Sequence, residues 1–319
     1  FIILMGLLAQ RFLSWFRFNR NSVVLVYFLA IVMLLINAIF TILYVGQQLV
    51  DSPTYVQSNR GPVMSFESPD TIFNSGYVVT SVLSFILTWV ATVLLLRHYG
   101  TRLGRIKYWI MVSIPLVYFL SQFQPIFLNV FTSFRLSDPV LFGIVYTLIF
   151  NATKPAGGIL FGIAFWSVAR SINHSTVKNY MIISAYGMVL LFISNQAVLL
   201  VIVPYPPFGL ATISLIGLSS YLILIGIYSS ATSVAQDAKL RVSIRKSVEQ
   251  QSKLLDTIGT AQMEQEIQRR VIIMTRSNQD RMTEETGIHS SLNEDDVKEY
   301  LEQVLTEVKE RKNISTNNG

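Results

Sequence analysis

The chain has 319 residues, 51% of them hydrophobic and 14% charged, with a formal net charge of +6 and no cysteine. A soluble chain averages about 25% charged residues, and here the mean hydropathy is +0.48 with a pI near 9.4. That balance excludes a disordered chain, a disulfide-stapled secreted domain and thiol or zinc-thiolate chemistry, and several apolar runs longer than 18 residues point to an integral membrane protein.

The chain opens at Phe1 inside FIILMGLLA, followed by Gln10 and Arg11. No small-residue cleavage site follows, so the run reads as the end of a truncated first span rather than the core of a signal peptide. Six fuller spans are expected at roughly 22–46, 77–96, 108–132, 139–169, 180–203 and 208–231. Most are about 20 to 25 residues long, enough at 1.5 Å per residue to cross about 30 Å of hydrocarbon. The expected fold class is all-α: a polytopic membrane helical bundle of seven spans, the first truncated, over residues 1–231, with a cytosolic helical tail over 232–319.

Charge sets the orientation. Residues 1–231 carry 12 Lys/Arg and 4 Asp/Glu, whereas residues 232–319 carry 13 and 15. With the loops assigned alternately to two sides, one side receives Arg11, Arg17, Arg20, Arg97, Arg102, Arg105, Lys107, Arg170 and Lys178, and then Lys239, Arg241, Arg245 and Lys246. The other receives only Arg60 and Arg135, together with Asp51, Glu67, Asp70 and Asp138. The positive-inside rule then places the tail in the cytosol of a multi-pass cell-membrane protein. Trp15, Tyr108, Trp109 and Trp166 fall near the inner boundary and Tyr44, Tyr77 and Tyr205 near the outer one, where interfacial aromatics belong. The basic excess sits beside apolar spans, so its partner is the lipid bilayer and not nucleic acid.

One outer loop, 47–76, is long and rich in Pro, Ser, Tyr and Asp. It reads either as a contact for a ligand or partner or as a tolerated linker. The YPPFG turn at Tyr205–Gly209 is a tight hairpin. No internal repeat of the kind seen in inverted-repeat transporters is evident.

Polar residues inside the spans carry the functional question, because each costs free energy in hydrocarbon unless it is partnered. Asn37, Gln122, Gln124, Asn195 and Gln196 fall about fifteen residues from the inner end of their spans, and Asn151 and Lys154 near the middle of theirs. Lys154 stands out, since a lysine at the bilayer centre costs about 3 kcal/mol on insertion scales and no span contains Asp or Glu. Pro155, Gly157 and Gly158 follow, with a GxxxG face at Gly158–Gly162, and predict a kink or break near 151–158. Two readings of the layer stand: a buried cavity for an anion or polar ligand, with Lys154 as its charge, or hydrogen-bonding glue between helices. No catalytic, nucleotide or metal-protease motif occurs, so no enzyme activity and no cofactor are expected. His98 and His174 read as interfacial residues, without the carboxylate partners that metal sites use.

From Ser229 the last span is expected to continue as a polar helix to roughly Asp280, with Leu240, Ile244, Val248, Leu255 and Ile258 at helical spacing, then Ile267, Val271 and Met274 after a slip at Gly259. This stripe is compatible with a coiled coil or with a solvated helix packed on the inner loops. A second tail helix begins at the capping-box pair Ser291 and Glu294 and shows an apolar face of Val297, Leu301, Val304, Leu305 and Val308. That face calls for a cytosolic protein partner, the long helix, or self-association through residues 294–312.

The layout resembles prokaryotic seven-span receptors, in which an inner helical tail relays a signal. The segments LLDTIGTAQMEQEIQRR and LNEDDVKEYLEQVL are similar to tail segments of the uncharacterised seven-span membrane proteins of archaea. That likeness implies a sensor-like or scaffold role with a ligand in the bundle or outer loop. The alternative is a permease or channel using the Asn/Gln/Lys layer as a path. The tail lacks the histidine-plus-acid helix and glycine-rich ATP domain of sensor kinases.

Overall fold

The computed structural model describes residues 1–51, 72–97, 104–121, 152–170, 174–195, 208–246 and 250–286, and single positions at 137, 149, 172, 297, 299, 300, 303 and 304. Among the described residues the chain is helical throughout, without strands. The helices are α1 (Ile2–Phe18), α2 (Ser22–Asp51), α3 (Ile72–Leu96), α4 (Arg105–Ser121), α5 (Thr153–Arg170), α6 (Ser175–Ser194), α7 (Phe208–Gln236), α8 (Ala238–Lys246) and α9 (Gln250–Thr286). Among the described residues four stretches are long and apolar enough to cross a membrane: Ser22–Leu43, Ser75–Leu96, Ser175–Ser194 and Ser214–Gln236. They overlap four of the expected spans. Helices α1, α4 and α5 overlap the other three without meeting that length and composition, and residues 122–136 and 138–148 of the expected fourth and fifth spans lie outside the described residues.

The chain divides into two compact units, Phe1–Gly259 and Thr260–Gly319. In the first, the helices pack pairwise into a closed ring: α1 on α2, α2 on α3, α3 on α5, α5 on α6, α6 on α7, and α7 back on α1, with α4 against α3 and α5. Its radial pattern is that of a bundle in lipid. Ile39, Ile42, Ile110, Ile114, Val117, Ile159, Ile163 and Leu218 face outward, whereas the buried face of α3 is a stripe of Thr80, Ser84, Thr88 and Thr92. Three of these hydroxyls satisfy themselves locally: Thr80 donates to Gly76 O at 2.7 Å, Ser84 to Ser81 O at 3.0 Å and Thr88 to Ser84 O at 2.7 Å. Small self-bonded side chains let helices approach closely without an orphaned polar group.

Glycines set the closest approaches. The Gly158–Gly162 face packs on α6, where a Cβ at Gly158 would stand 2.7 Å from Phe192 Cβ and one at Gly162 would stand 3.0 Å from Ala185 O. From the other side Gly226 of α7 meets α6, its hypothetical Cβ 2.6 Å from Tyr180 O and 2.8 Å from the Ser184 amide. An aromatic cluster fills the space between α3, α4, α5 and α6. Phe85 stacks on Phe119 with centroids 3.9 Å apart, and Phe161 and Phe192 meet edge to face at 4.7 Å.

The kink or break expected near 151–158 takes the form of a helix start: α5 begins at Thr153 and Pro155 sits in its first turn, where a missing N–H costs nothing. The structure corrects another expectation: the last span does not run on unbroken to Asp280. Helix α7 stops at Gln236, where the Arg241 guanidinium donates to the carbonyls of Val234 and Ala235. Asp237 then starts α8, its carboxylate accepting from the amides of Lys239 at 2.9 Å and Leu240 at 3.0 Å. The Leu240 amide is the main reason the Asp237 carboxyl lies below its ordinary value.

In the second unit, the described part of the C-terminal segment brings Val297 near α9, where it lines a small pocket together with Ile272, Thr275, Arg276 and Gln279. The capping box at Ser291 and Glu294 and most of 294–312 lie outside the described residues.

Gly226→Ala is expected to destabilise the chain by about 1–3 kcal/mol, as overpacking against a rigid backbone does. Gly217→Ala, with nothing within 4 Å of the added carbon, is expected to be neutral or stabilising by up to about 1 kcal/mol. Thermal unfolding of the two variants in detergent checks the contrast. Because the folded Asp237 carboxyl is held low, its contribution is present above the unfolded carboxylate value and fades as pH falls through the lower folded value. Asp237→Ala should therefore remove an acid-sensitive part of α8 helicity, read by hydrogen exchange at Lys239 and Leu240.

Candidate functional site

Lys154 lies in the first turn of α5 and is 7% exposed. A cation there opposes the dipole of its own helix, so its position is decided by what it reaches. Its Nζ donates to Asn195 O at 3.2 Å, and Asn195 is the C-cap of α6. The ammonium thus sits at the negative end of a neighbouring helix, on a carbonyl that no intrahelical amide satisfies. This is a C-cap supplied across a helix interface.

The second acceptor is Tyr77 Oη at 3.4 Å. Nζ also lies 5.5 Å from the Tyr77 ring centroid, which places it off the hydroxyl end and not above the ring face. The contact is a hydrogen bond to oxygen more than a cation–π interaction. Tyr77 is 3% exposed. Its side chain is therefore enclosed by neighbouring helices, near the end of the apolar stretch Ser75–Leu96.

Tyr77 also continues the network through its backbone. Asn37 Nδ2 of α2 donates to Tyr77 O and to Thr80 Oγ1, both at 3.1 Å. Asn37 is 1% exposed and its Oδ1 has no partner among the described residues. The Asn37 carbonyl accepts from Thr41 Oγ1 at 2.7 Å. One connected cluster thus joins α2, α3, α5 and the end of α6.

Of the seven expected site residues, the structure brings three into this cluster: Asn37, Lys154 and Asn195. Asn195 contributes its backbone carbonyl in place of its amide. Gln122, Gln124, Asn151 and Gln196 lie outside the described residues. Sequence reasoning missed Tyr77 and Thr80. Thr80 was findable, because Thr80, Ser84, Thr88 and Thr92 recur every four residues and mark an inward face. Tyr77 gave no comparable signal, since a tyrosine at the end of an apolar run looks interfacial.

Next to the cluster along α5, Gly157 accepts the Phe85 ring against its backbone, and Phe161 begins the aromatic packing. Among the described residues no carboxylate pairs with Lys154 and no group of metal-ligating side chains occurs. Four membrane-length apolar helices, lipid-type radial patterning and a buried amine bonded across helices define an all-helical, multi-pass membrane protein. Comparisons of the chain with protein-family models, with curated proteins and with solved structures return no match.

Tyr77→Phe leaves a buried charged donor short of an acceptor and is expected to cost about 1–3 kcal/mol. Lys154→Met removes donor and charge together and is expected to be nearly neutral or stabilising. In the Lys154→Met background, Tyr77→Phe should lose most of its effect. A double-mutant cycle of thermal stabilities measures that coupling, and additive effects would show that the two side chains do not interact.

Proposed function

We propose that the chain is a seven-span sensor or scaffold of the cell membrane. Its bundle or the loop 47–76 receives a ligand, and its cytosolic tail passes the resulting state to a partner. The likeness to prokaryotic seven-span receptors and the concentration of Lys/Arg on one side support the topology.

The observation that carries this reading is a joint at the basic end of the bundle. Asn21 caps α2, its Oδ1 accepting from the Val23 amide at 2.9 Å, while its Nδ2 donates to Thr257 Oγ1 of α9 at 2.9 Å. A Cβ on Gly259 would stand 2.8 Å from Val234 Cβ of α7, and Leu254, Leu255 and Ile258 are buried. The first turns of the tail helix are thereby fastened to elements that come from the membrane bundle. A shift of α2 or α7 has a direct mechanical outlet in α9.

The permease reading has less support. The packed rings of Phe85, Phe119, Phe161 and Phe192 fill the space between α3, α4, α5 and α6 next to Lys154 along α5, where a continuous polar path would need room and hydrogen-bonding groups. No catalytic role is proposed for any residue.

The test uses the full chain in lipid nanodiscs and hydrogen exchange. Under the sensor reading, Lys154→Met changes amide protection of residues 254–259 on the order of 5-fold, the low end of site-to-site coupling. Asn21→Ala abolishes that response. Protection that is unchanged in Lys154→Met overturns the coupling. In proteoliposomes, potassium, chloride or glycine flux that survives deletion of residues 237–319 would establish the permease. A cysteine at Asp280, in a chain with none, should react with impermeant maleimide only after cells are permeabilised.

A further inference from the structure

The part of α9 beyond Thr260 carries a second apolar face that the pocket lined by Val297 does not use. Ile267 is 40% exposed and Met274 65% exposed, and Val271 between them is half-buried. With Asn278, Arg281 and Glu285 these positions advance by four, three, four, three and four residues, the a/d spacing of a two-stranded coil. We infer that α9 pairs with α9 of a second copy of this chain, parallel and in register, through Ile267, Val271, Met274 and Asn278.

Three observations select a second copy as the occupant: the spacing, the asparagine layer and the flanking residues. The 4–3 spacing is self-complementary, so the same knobs meet the same holes on an identical helix. Asn278 falls at an a position, where a lone asparagine pairs with its symmetry mate and specifies two strands and one register. The seam ends in opposite charges: Arg281 and Glu285 occupy the next d and a positions, both about 70% exposed and only 3.9 Å apart within the chain. In a parallel, in-register pair these two layers set like charges opposite each other, which ends the seam there. Flanking positions add no repulsion, because Arg270 would stand opposite Thr275 and Ser277 opposite Met282 of the other copy.

Membrane insertion supplies the direction. Two copies inserted with one topology put their tails on the same side of the bilayer, whichever side that is, and so present α9 in parallel. The seam from 267 to 278 is short for an isolated coil. Confinement of both copies to one membrane raises the effective concentration that a short seam needs. The pairing does not depend on a ligand and stands or falls separately from the sensor reading.

The chain's lack of cysteine makes the test direct. Single-cysteine variants of the full chain, Ile267→Cys, Ile273→Cys and Met274→Cys, are oxidised with copper phenanthroline in native membranes and run on non-reducing gels. Ile273 is 57% exposed, close to Met274, but points about 100° around the helix. Expected are disulfide dimers of the 267 and 274 variants several-fold above the 273 variant, lost when Val271→Glu is added and increased or broadened in register by Asn278→Ile. Equal cross-linking at 273 and 274 would mean random collision. No dimer at 274 would mean that the chain's own C-terminal segment or another protein covers the seam. Either result overturns the pairing.

Discussion

An unpaired buried carbonyl costs free energy, so the last carbonyls of a helix that ends against packed protein must be met by a donor. The Lys154 ammonium does this for α6. It crosses from the start of α5 to the C-cap carbonyl of Asn195 and keeps a second bond to Tyr77. The placement is unfavourable to the dipole of α5 and favourable to that of α6, and the two ends are adjacent because consecutive helices run antiparallel. The lysine is therefore bound to helix termination, and the hydrogen bonds of α2 and α3 gather around the same residue through Tyr77.

This arrangement requires α6 to arrive at a fixed height, and glycine packing fixes it. On one side Gly158 and Gly162 of α5 let the α6 backbone approach, and on the other Gly187 of α6 stands against Ile223 and Gly226 of α7 against Tyr180 and Ser184. A helix held on both flanks by contacts without side chains has little freedom to slide along its axis. Small residues thus determine where the Asn195 carbonyl is offered. The lysine, on the other helix of that pair, meets it without a carboxylate among the described residues.

What the sequence made legible follows the length over which each signal is summed. Four membrane-length helices were readable because hydropathy accumulates over about 20 residues and a few polar positions do not cancel it. Lys154 was readable as one charge in an apolar run. The GxxxG packing face was readable because close approach needs those spacings. Signals that depend on a boundary were blurred: Pro155 reads as a kink or break inside a 31-residue run and as a harmless first-turn residue once α5 begins at Thr153. Asp237 is similar, an acid two residues before Lys239 that looks like one more polar position until its carboxylate is seen holding two amides. Tyr77 was lost for a different reason. Its hydroxyl and its backbone carbonyl serve different helices, and no spacing within α3 records either partner.

The two ends of the first unit are joined by the helices that carry the Lys154 cluster. Asn37 sits on α2, whose N-terminus is capped by Asn21, and Asn21 also holds Thr257. A helix is stiff along its axis, so displacement at Asn37 is carried to Asn21 with little loss over the intervening turns. Helix α7 provides a second connection, from its packing on α6 at Gly226 to its contact with Gly259 through Val234. Under the proposed sensor role, these two helices are the route by which a change at the Lys154 cluster would reach the first turns of α9.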